Sequence, residues 1–495
     1  MFQPQYDKIA IDKKVTIAPA NTVLETKINS KEALKKVLCV SANPTVTSFE
    51  PLNGEALVNG KAVIRLLALT EENEVLGLTF NADFNERIKG DITPKMKLFW
   101  DVNALETNYD VQGSVVNVSL LLEINGEGIV SEEIDVLSGG EGIMTLNQES
   151  VFTSMALCEK LTATIENELQ VNQNIRRILL AESFVTVNDY FVSDNVLNLS
   201  GRATVGAVYV CDDDKPVSKL IGFDFTHELP VSGVDENDAL DLKAKVTSTK
   251  VHMDVVEDLP TTSFTAEIDL ELLLCAHHST SAPVAADVYS LTHELETVSR
   301  QLKATLPAGQ YSYEIDAEAS VPMESVIDRF VAVANLQSYV TKVVPGLGSA
   351  DVEGYVSGEI LFEKEGEIGS SKFEIPFSRS IEEEWIAPDT TVKASGTIGD
   401  VTYRLDRQDA LISAKVNLSL SGSKDKTFSV LTEVKQGKEI DASAGAIEVV
   451  LAHKGDTLWD IAKWLHMRQE DILAVNPDMA SPLEDDAKIV VYHKI

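Results

Sequence analysis

The run KGDTLWDIAKWL, Lys454 to Leu465, decides how the C-terminal end of the chain folds. Gly455 permits a tight backbone turn that Cβ-bearing residues resist. Asp456 or Thr457 can cap the first free N–H groups of a helix. Leu458, Ile461, Ala462 and Leu465 then follow at the i, i+3, i+4, i+7 spacing of one buried helical face. Upstream, Ile447 to Ala452 reads as a strand. Downstream, Gln469 to Val475 reads as a second short helix, with Arg468 where a capping serine or threonine is usual. Asn476-Pro477 ends it, because proline cannot continue the ladder. Ile489 to Tyr492 is a last β-run, so the order is β-α-α-β within residues 447–495.

Working outward, the rest of the chain repeats itself. Leu34-Lys-Lys-Val37-Leu-Cys-Val40 matches Ile175-Arg-Arg-Ile178-Leu-Leu-Ala181 and Ile327-Asp-Arg-Phe330-Val-Ala-Val333. Val58-Asn-Gly60-Lys-Ala-Val63 matches Leu199-Ser-Gly201-Arg-Ala-Thr204 and Val352-Glu-Gly354-Tyr-Val-Ser357. The two anchors lie 26, 26 and 27 positions apart in the three copies. Late in each copy an alternating apolar run recurs: Val115 to Ile124, Phe264 to Ala276, and Ala410 to Leu420. Three copies of one domain are the simplest explanation. Within them the period is two, with Val, Ile and Thr bounded by Gly, Asp, Asn and Ser. The expected fold class is therefore mainly β: three tandem antiparallel β-rich repeats, each a small sandwich or strongly twisted sheet, followed by the small β-α-α-β domain. The expected boundaries are an extended lead-in at 1–29 and repeats at 30–147, 169–286 and 311–436. Joins at 148–168 and 287–310 separate the repeats, and a linker at 437–446 precedes the last domain. Helical pattern is confined to the joins, Ser150 to Glu168 and Val288 to Thr305, where paired strands are the alternative.

The chain has 495 residues, 78 acidic against 42 basic, and a net charge of −36. That charge argues against nucleic acid or an anionic membrane as a general partner. Its 44% hydrophobic content excludes a disordered chain. The N-terminal MFQPQYDKIAIDKKV lacks an apolar core with a cleavage site, and no apolar run is long enough to span a bilayer. Cys39, Cys158, Cys211 and Cys275 are scattered without a C-x-x-C pair, which suggests free thiols in a reducing, cytoplasmic compartment.

No catalytic constellation survives inspection. His227-Glu228 and His293-Glu294 each lack the second histidine of a zinc helix. Cys275 and His277 share a strand face, yet a third ligand is not visible. No G-x-S-x-G, phosphate-binding loop or dinucleotide fingerprint occurs. The expectation is a non-enzymatic protein without metal or cofactor. Within the C-terminal domain, Trp459 and Trp464 stand five positions apart, so they face different directions on the first helix. One helps fill the core and the other stands exposed beside Lys463, an arrangement suited to a protein interface.

The C-terminal residues resemble a LysM module. The resemblance rests on Lys454-Gly455-Asp456-Thr457-Leu458-Trp459-x-Ile461-Ala462, then Ile472-Leu473-x-x-Asn476-Pro477, then Lys488-Ile489. LysM modules bind N-acetylglucosamine polymers through the turn before the first helix and the loop before the last strand. Here that second loop departs from the family: Leu483-Glu484-Asp485-Asp486-Ala487 replaces a compact Pro-Gly-Gln turn. Three β-rich repeats ahead of a LysM module resemble the SPOCS-domain spore coat morphogenetic proteins of spore-forming Firmicutes. The resemblance implies a spore coat assembly factor in the mother-cell cytoplasm at the forespore surface. It implies docking through LysM onto a coat morphogenetic ATPase, which would hold any ATP. The repeats would recruit other coat proteins or self-associate, with neither nucleic acid nor membrane insertion involved. The implied partner-binding residues are Gly455, Asp456, Thr457, Leu458, Trp459, Lys463, Trp464, Asn476, Pro477, Leu483 and Lys488. The alternative is a peptidoglycan-binding protein that uses the same module on cortex or wall N-acetylglucosamine.

Overall fold

The period-two runs become strands far longer than the runs themselves. The computed structural model describes residues 2–212, 214–253, 261–323, 326–406, 409–440 and 447–492. The first six strands are β1 (Gln3–Asn29), β2 (Leu34–Leu52), β3 (Glu55–Thr70), β4 (Val75–Lys89), β5 (Lys97–Gln112) and β6 (Val115–Glu141). β2, β3 and β4 form one three-stranded antiparallel sheet, and β1, β6 and β5 form a second, with β6 in the middle. The chain then repeats this connectivity. β7 (Met144–Gln170) pairs with β12 (Ser263–Tyr289), which also pairs with β11 (Ala239–His252). β8 (Arg177–Ser193), β9 (Val196–Val210) and β10 (Pro216–Pro230) make the companion sheet. A third set follows: β13 (His293–Pro322), β18 (Asp409–Glu439) and β17 (Thr391–Asp406) in one sheet, and β14 (Arg329–Pro345), β15 (Ser349–Lys364) and β16 (Glu367–Glu382) in the other.

Each unit buries its core between its own two sheets. Val116, Val118, Leu120, Leu122 and Ile124 alternate inward on β6 against Val58, Ile64 and Leu66 of β3. Phe264 to Leu274 on β12 and Ala410 to Leu420 on β18 alternate in the same way. The matching glycines have one job in all three units. At Gly60, Gly201 and Gly354 an added Cβ would meet the rings of Phe84, Phe225 and Phe377 and the carbonyls of Thr45, Thr186 and Tyr339. Bare backbone is what lets the neighbouring aromatic lie flat across the strand.

The expected helices at the joins are absent. Ser150 to Glu168 lies within β7, and Val288 to Thr305 covers the end of β12, a turn, and the start of β13. Ala163 and Ile165 are buried while Thr162, Thr164 and Glu166 are not, a period of two. Thr and Val favour that pleat, and β12 pairs with it along its length. Residues of the expected lead-in likewise form β1, which pairs with β6 over nearly its whole length. The first strand of each unit thus closes onto its last.

The long strands bend at bulges. Ala18 and Pro19 face a single partner residue between the Ile17–Gly126 and Ala20–Ile124 pairs; proline, with no N–H to donate, suits such a site. Beyond the bend the strands leave their unit. Ile9, Ile11, Ile134 and Val136 meet Phe152, Val284, Leu302, Ala304, Phe428 and Val430 of the other two units. At the opposite end the smaller sheets share another core, with Leu38 and Leu67 beside Leu180 and Val208 and beside Ala332 and Leu361. The three units therefore surround a common axis.

Cys158 and Cys275 lie directly opposite each other on β7 and β12 and are joined as a disulfide. This corrects the expectation of four free thiols; Cys39 and Cys211 are buried outside the disulfide, and the Cys211 thiol donates to Gln173 Oε1 at 3.3 Å. The scatter of cysteines along the sequence hid a cross-strand register that only the β7–β12 pairing creates.

Candidate functional site

The C-terminal residues form β19 (Ile447–Ala452), α1 (Leu458–Leu465), α2 (Gln469–Val475) and β20 (Ala487–Tyr492). Gly455 takes a positive φ of 95°, and Thr457 is the N-cap of α1. Its Oγ1 accepts from Asp460 N at 3.1 Å, and the Asp460 carboxylate accepts from Thr457 N at 3.0 Å, closing a capping box. Arg468 makes no side-chain cap for α2. Asn476 ties the end of α2 to β20: its Nδ2 donates to Val490 O at 2.6 Å, and Val490 N donates to its Oδ1 at 3.0 Å. Pro477 follows directly and stops the helix.

The two loops at the top of this module close on each other. Gly455 N donates to Leu483 O and Leu483 N to Asp456 O, both at 2.9 Å. Leu458 N donates to Ser481 Oγ at 2.9 Å, and Lys454 N to Asp486 Oδ1 at 2.9 Å. One of the three acids of the 484–486 loop is thus a structural acceptor, while Asp485 stands in solvent, 3.9 Å from the Lys454 ammonium.

Part of the expected interface faces the body of the protein. Asp287, near the end of β12, accepts from Trp459 Nε1 at 2.8 Å and from Lys463 Nζ at 2.6 and 2.7 Å. Burial pushes its carboxyl up, but the hydrogen bonds from Lys463 and Trp459 prevail and hold it below the usual carboxylate range. The Tyr289 ring meets Trp459 edge-on, 4.9 Å between centroids, and its hydroxyl donates to Met467 O at 2.7 Å. Burial pushes that phenol up to about 12. His466 Nδ1 lies 2.9 Å from Ser290 O. Trp459, Ile461, Ala462, Ile472 and Leu483 fill the module core, which includes Tyr289 of β12. Leu458 lines a groove between module and body, opposite Phe2, Ile143 and Leu291.

Part of what remains outward is apolar. Trp464 is 59% exposed. On β19, Ile447, Val449 and Leu451 point away from the core at 70%, 58% and 53% exposure, and Val490 and Tyr492 of β20 join them. The pairing makes a ladder: Ile447 with Tyr492, Val449 with Val490, and Leu451 with Lys488. This makes an apolar sheet face open to solvent on a strongly acidic protein. The sequence held the signal. In Ile447-Glu-Val-Val-Leu-Ala452 both alternating sets are largely apolar, where a half-buried strand needs only one.

Of the eleven residues singled out from the sequence, Lys488 lies on this ladder and Trp464 reaches solvent on α1, while Trp459 and Lys463 dock the module. Thr457, Asn476 and Leu483 hold it together, and Gly455 and Asp456 join the two loops. No group of three or more His, Cys, Asp and Glu among the described residues is placed to hold a metal. No helix among them is long and apolar enough to cross a membrane. Comparison of the chain with protein-family models, curated proteins and solved structures gives no match.

Proposed function

We propose that this chain is a non-enzymatic assembly factor, a rigid β-rich body that presents a LysM-like C-terminal module to a protein partner. The observation that carries this reading is the division of the module into two faces. One is spent on the body through Asp287, Trp459 and Lys463. The other offers the apolar Ile447–Leu451 and Val490–Tyr492 ladder on the outer side of the two-stranded sheet, and Trp464 is separately exposed on α1. Apolar and aromatic side chains on a preformed surface supply most of the energy of protein docking. The resemblance to SPOCS-domain coat proteins makes the partner a coat morphogenetic ATPase at the forespore surface, with the three β units recruiting other coat proteins or further copies of the chain.

The test is binding of the full chain to the purified ATPase, beside sedimentation with insoluble peptidoglycan. Val449→Asp and Trp464→Ala are expected to weaken ATPase binding ten-fold or more while the far-ultraviolet circular dichroism stays unchanged. Retention on peptidoglycan with no response to either substitution would replace this reading with the glycan-binding one.

A further inference from the structure

The small sheet of the C-terminal module ends differently at its two edges. Among the described residues β19 and β20 pair only with each other, so each has one edge with no strand beside it. On β20 that edge is sealed at its centre, because the N–H and C=O of Val490 both bond to the Asn476 side chain. In an antiparallel pair the N–H and C=O of one residue point the same way, and facing residues either both turn toward each other or both turn away. Val490 turns away from β19, so Val449 opposite it turns away from β20. Alternation extends this to Ile447 and Leu451, which face Tyr492 and Lys488. No described residue bonds to the backbone N–H or C=O of Ile447, Val449 or Leu451.

The free edge therefore belongs to the same residues whose side chains form the exposed apolar ladder. Several edge strands elsewhere in the chain carry features that keep a further strand from adding. β5, β11 and β17 are interrupted by bulges, and β16 contains Pro376. β19 runs without bulge, proline or glycine. Its one charged residue, Glu448, alternates onto the other side of the strand.

We propose that this edge pairs antiparallel with the β19 edge of a second copy of the chain, about a two-fold axis at Val449. The register is self-complementary. Val449 faces Val449 of the second copy, and Ile447 faces Leu451 in both directions. Each facing pair exchanges N–H···O=C bonds that neither strand makes alone. Apolar side chains then meet at every position of the outward face, and no like charges come opposite. The product is a four-stranded sheet in the order β20-β19-β19-β20. Edge pairing is independent of a partner on the outward face, which stays open and becomes twice as wide. With a net charge of −36 on each copy the bodies repel, so salt strengthens the pairing.

The experiment is sedimentation velocity on the full chain over a concentration series at low and high salt, with amide exchange by mass spectrometry in parallel. A monomer–dimer equilibrium that tightens with salt, with protection of residues 447–452 rising with concentration, supports the pairing. Val449→Pro removes a donor that the β19–β20 ladder does not use, and is expected to weaken the dimer about ten-fold or more with the far-ultraviolet circular dichroism unchanged. Val449→Thr keeps the donor and the branched side chain but makes the face more polar, so it should leave the dimer within about two-fold. Exchange in the unsubstituted chain decides the matter if Val449→Pro disturbs the module. The proposal is overturned by a monomer at every concentration, by a dimer without protection at 447–452, or by a dimer that survives Val449→Pro in a folded module. It is overturned equally by a dimer that Val449→Thr disrupts as strongly as proline, since that would assign the contact to packing of apolar faces.

Discussion

Replacing Asp287 with alanine should loosen the C-terminal module from the body without unfolding either. From the module the carboxylate receives three hydrogen bonds, two from the Lys463 ammonium and one from the Trp459 indole. Hydrogen bonds to a charged group contribute about 1.5–3 kcal/mol when buried. The Asp287 and Lys463 side chains are 34% and 44% exposed, so solvent screening brings the set down to about 1–2 kcal/mol. That corresponds to a roughly 5- to 30-fold shift toward the undocked state. The Tyr289–Trp459 contact and the Tyr289 hydroxyl bond survive the change, which is why complete release is not expected. The assay is amide hydrogen exchange by mass spectrometry on the intact chain. Peptides from residues 283–292 and 447–465 should exchange faster by that factor, while the β7–β12 ladder upstream keeps its protection. The wild-type protein should show the same loosening only in acid. A carboxyl held low when folded contributes stability above its unfolded value near 3.8, and that stability is lost as pH falls through the lower folded value. Unchanged exchange in Asp287→Ala would refute the argument that this carboxylate fastens the module.

Three further outcomes follow from the same structure. Gly354→Ala places a Cβ 2.2 Å from the Tyr339 carbonyl and 2.4 Å from the Phe377 ring; it should cost about 3 kcal/mol in urea unfolding, whereas Gly139→Ala, with open space around it, should change stability by less than about 0.5 kcal/mol. Glu359 is 4% exposed with one carboxylate oxygen unpartnered, and burial foremost, with Glu182 adding to it against Lys372, pushes it up to about 7. Its protonated form is the one the fold favours, so stability falls as pH rises from about 4.5 to 7; Glu359→Gln should raise Tm at pH 8 and leave it unchanged at pH 4.5. Thr457→Ala removes the capping box of α1 and should cost about 1 kcal/mol of module stability, read as faster exchange within residues 458–465 alone.

The period-two runs were legible because each strand has one core face, and β6 alternates buried and partly buried residues over fourteen positions from Val115 to Gly128. The glycine anchors were legible too, since Gly60, Gly201 and Gly354 recur at near-constant distance. What misled at the joins was local: Ser150 to Glu168 carries leucines and alanines at mixed spacing, and nothing nearby reveals that its partner lies far along the chain, in β12. The disulfide was hidden for the same reason. In the C-terminal module the helix start and stop were readable from Gly455, Thr457 and Asn476-Pro477. Which tryptophan faced inward was decided by Asp287 of β12, a residue that no reading of the module alone could supply. The outer face of β19 is written in the same alternation, since Ile447, Val449 and Leu451 are the set left over once Val450 and Ala452 go to the core.

The pairing of each unit's first strand with its last also sets the order in which the protein can be made. Gln3 faces Glu141, Met144 faces Tyr289 and His293 faces Glu439. A nascent chain therefore carries an unpaired strand edge until nearly the whole unit has left the ribosome, and closing it brings together ends separated by the full length of the unit. Such distant pairing is slow, and an open apolar edge invites a neighbouring copy to add its own strand in the interval. Because the three units share one connectivity, the strand that waits in one unit is the natural competitor for the partner of the next. The differences between their sequences are what keep each strand with its own unit during synthesis.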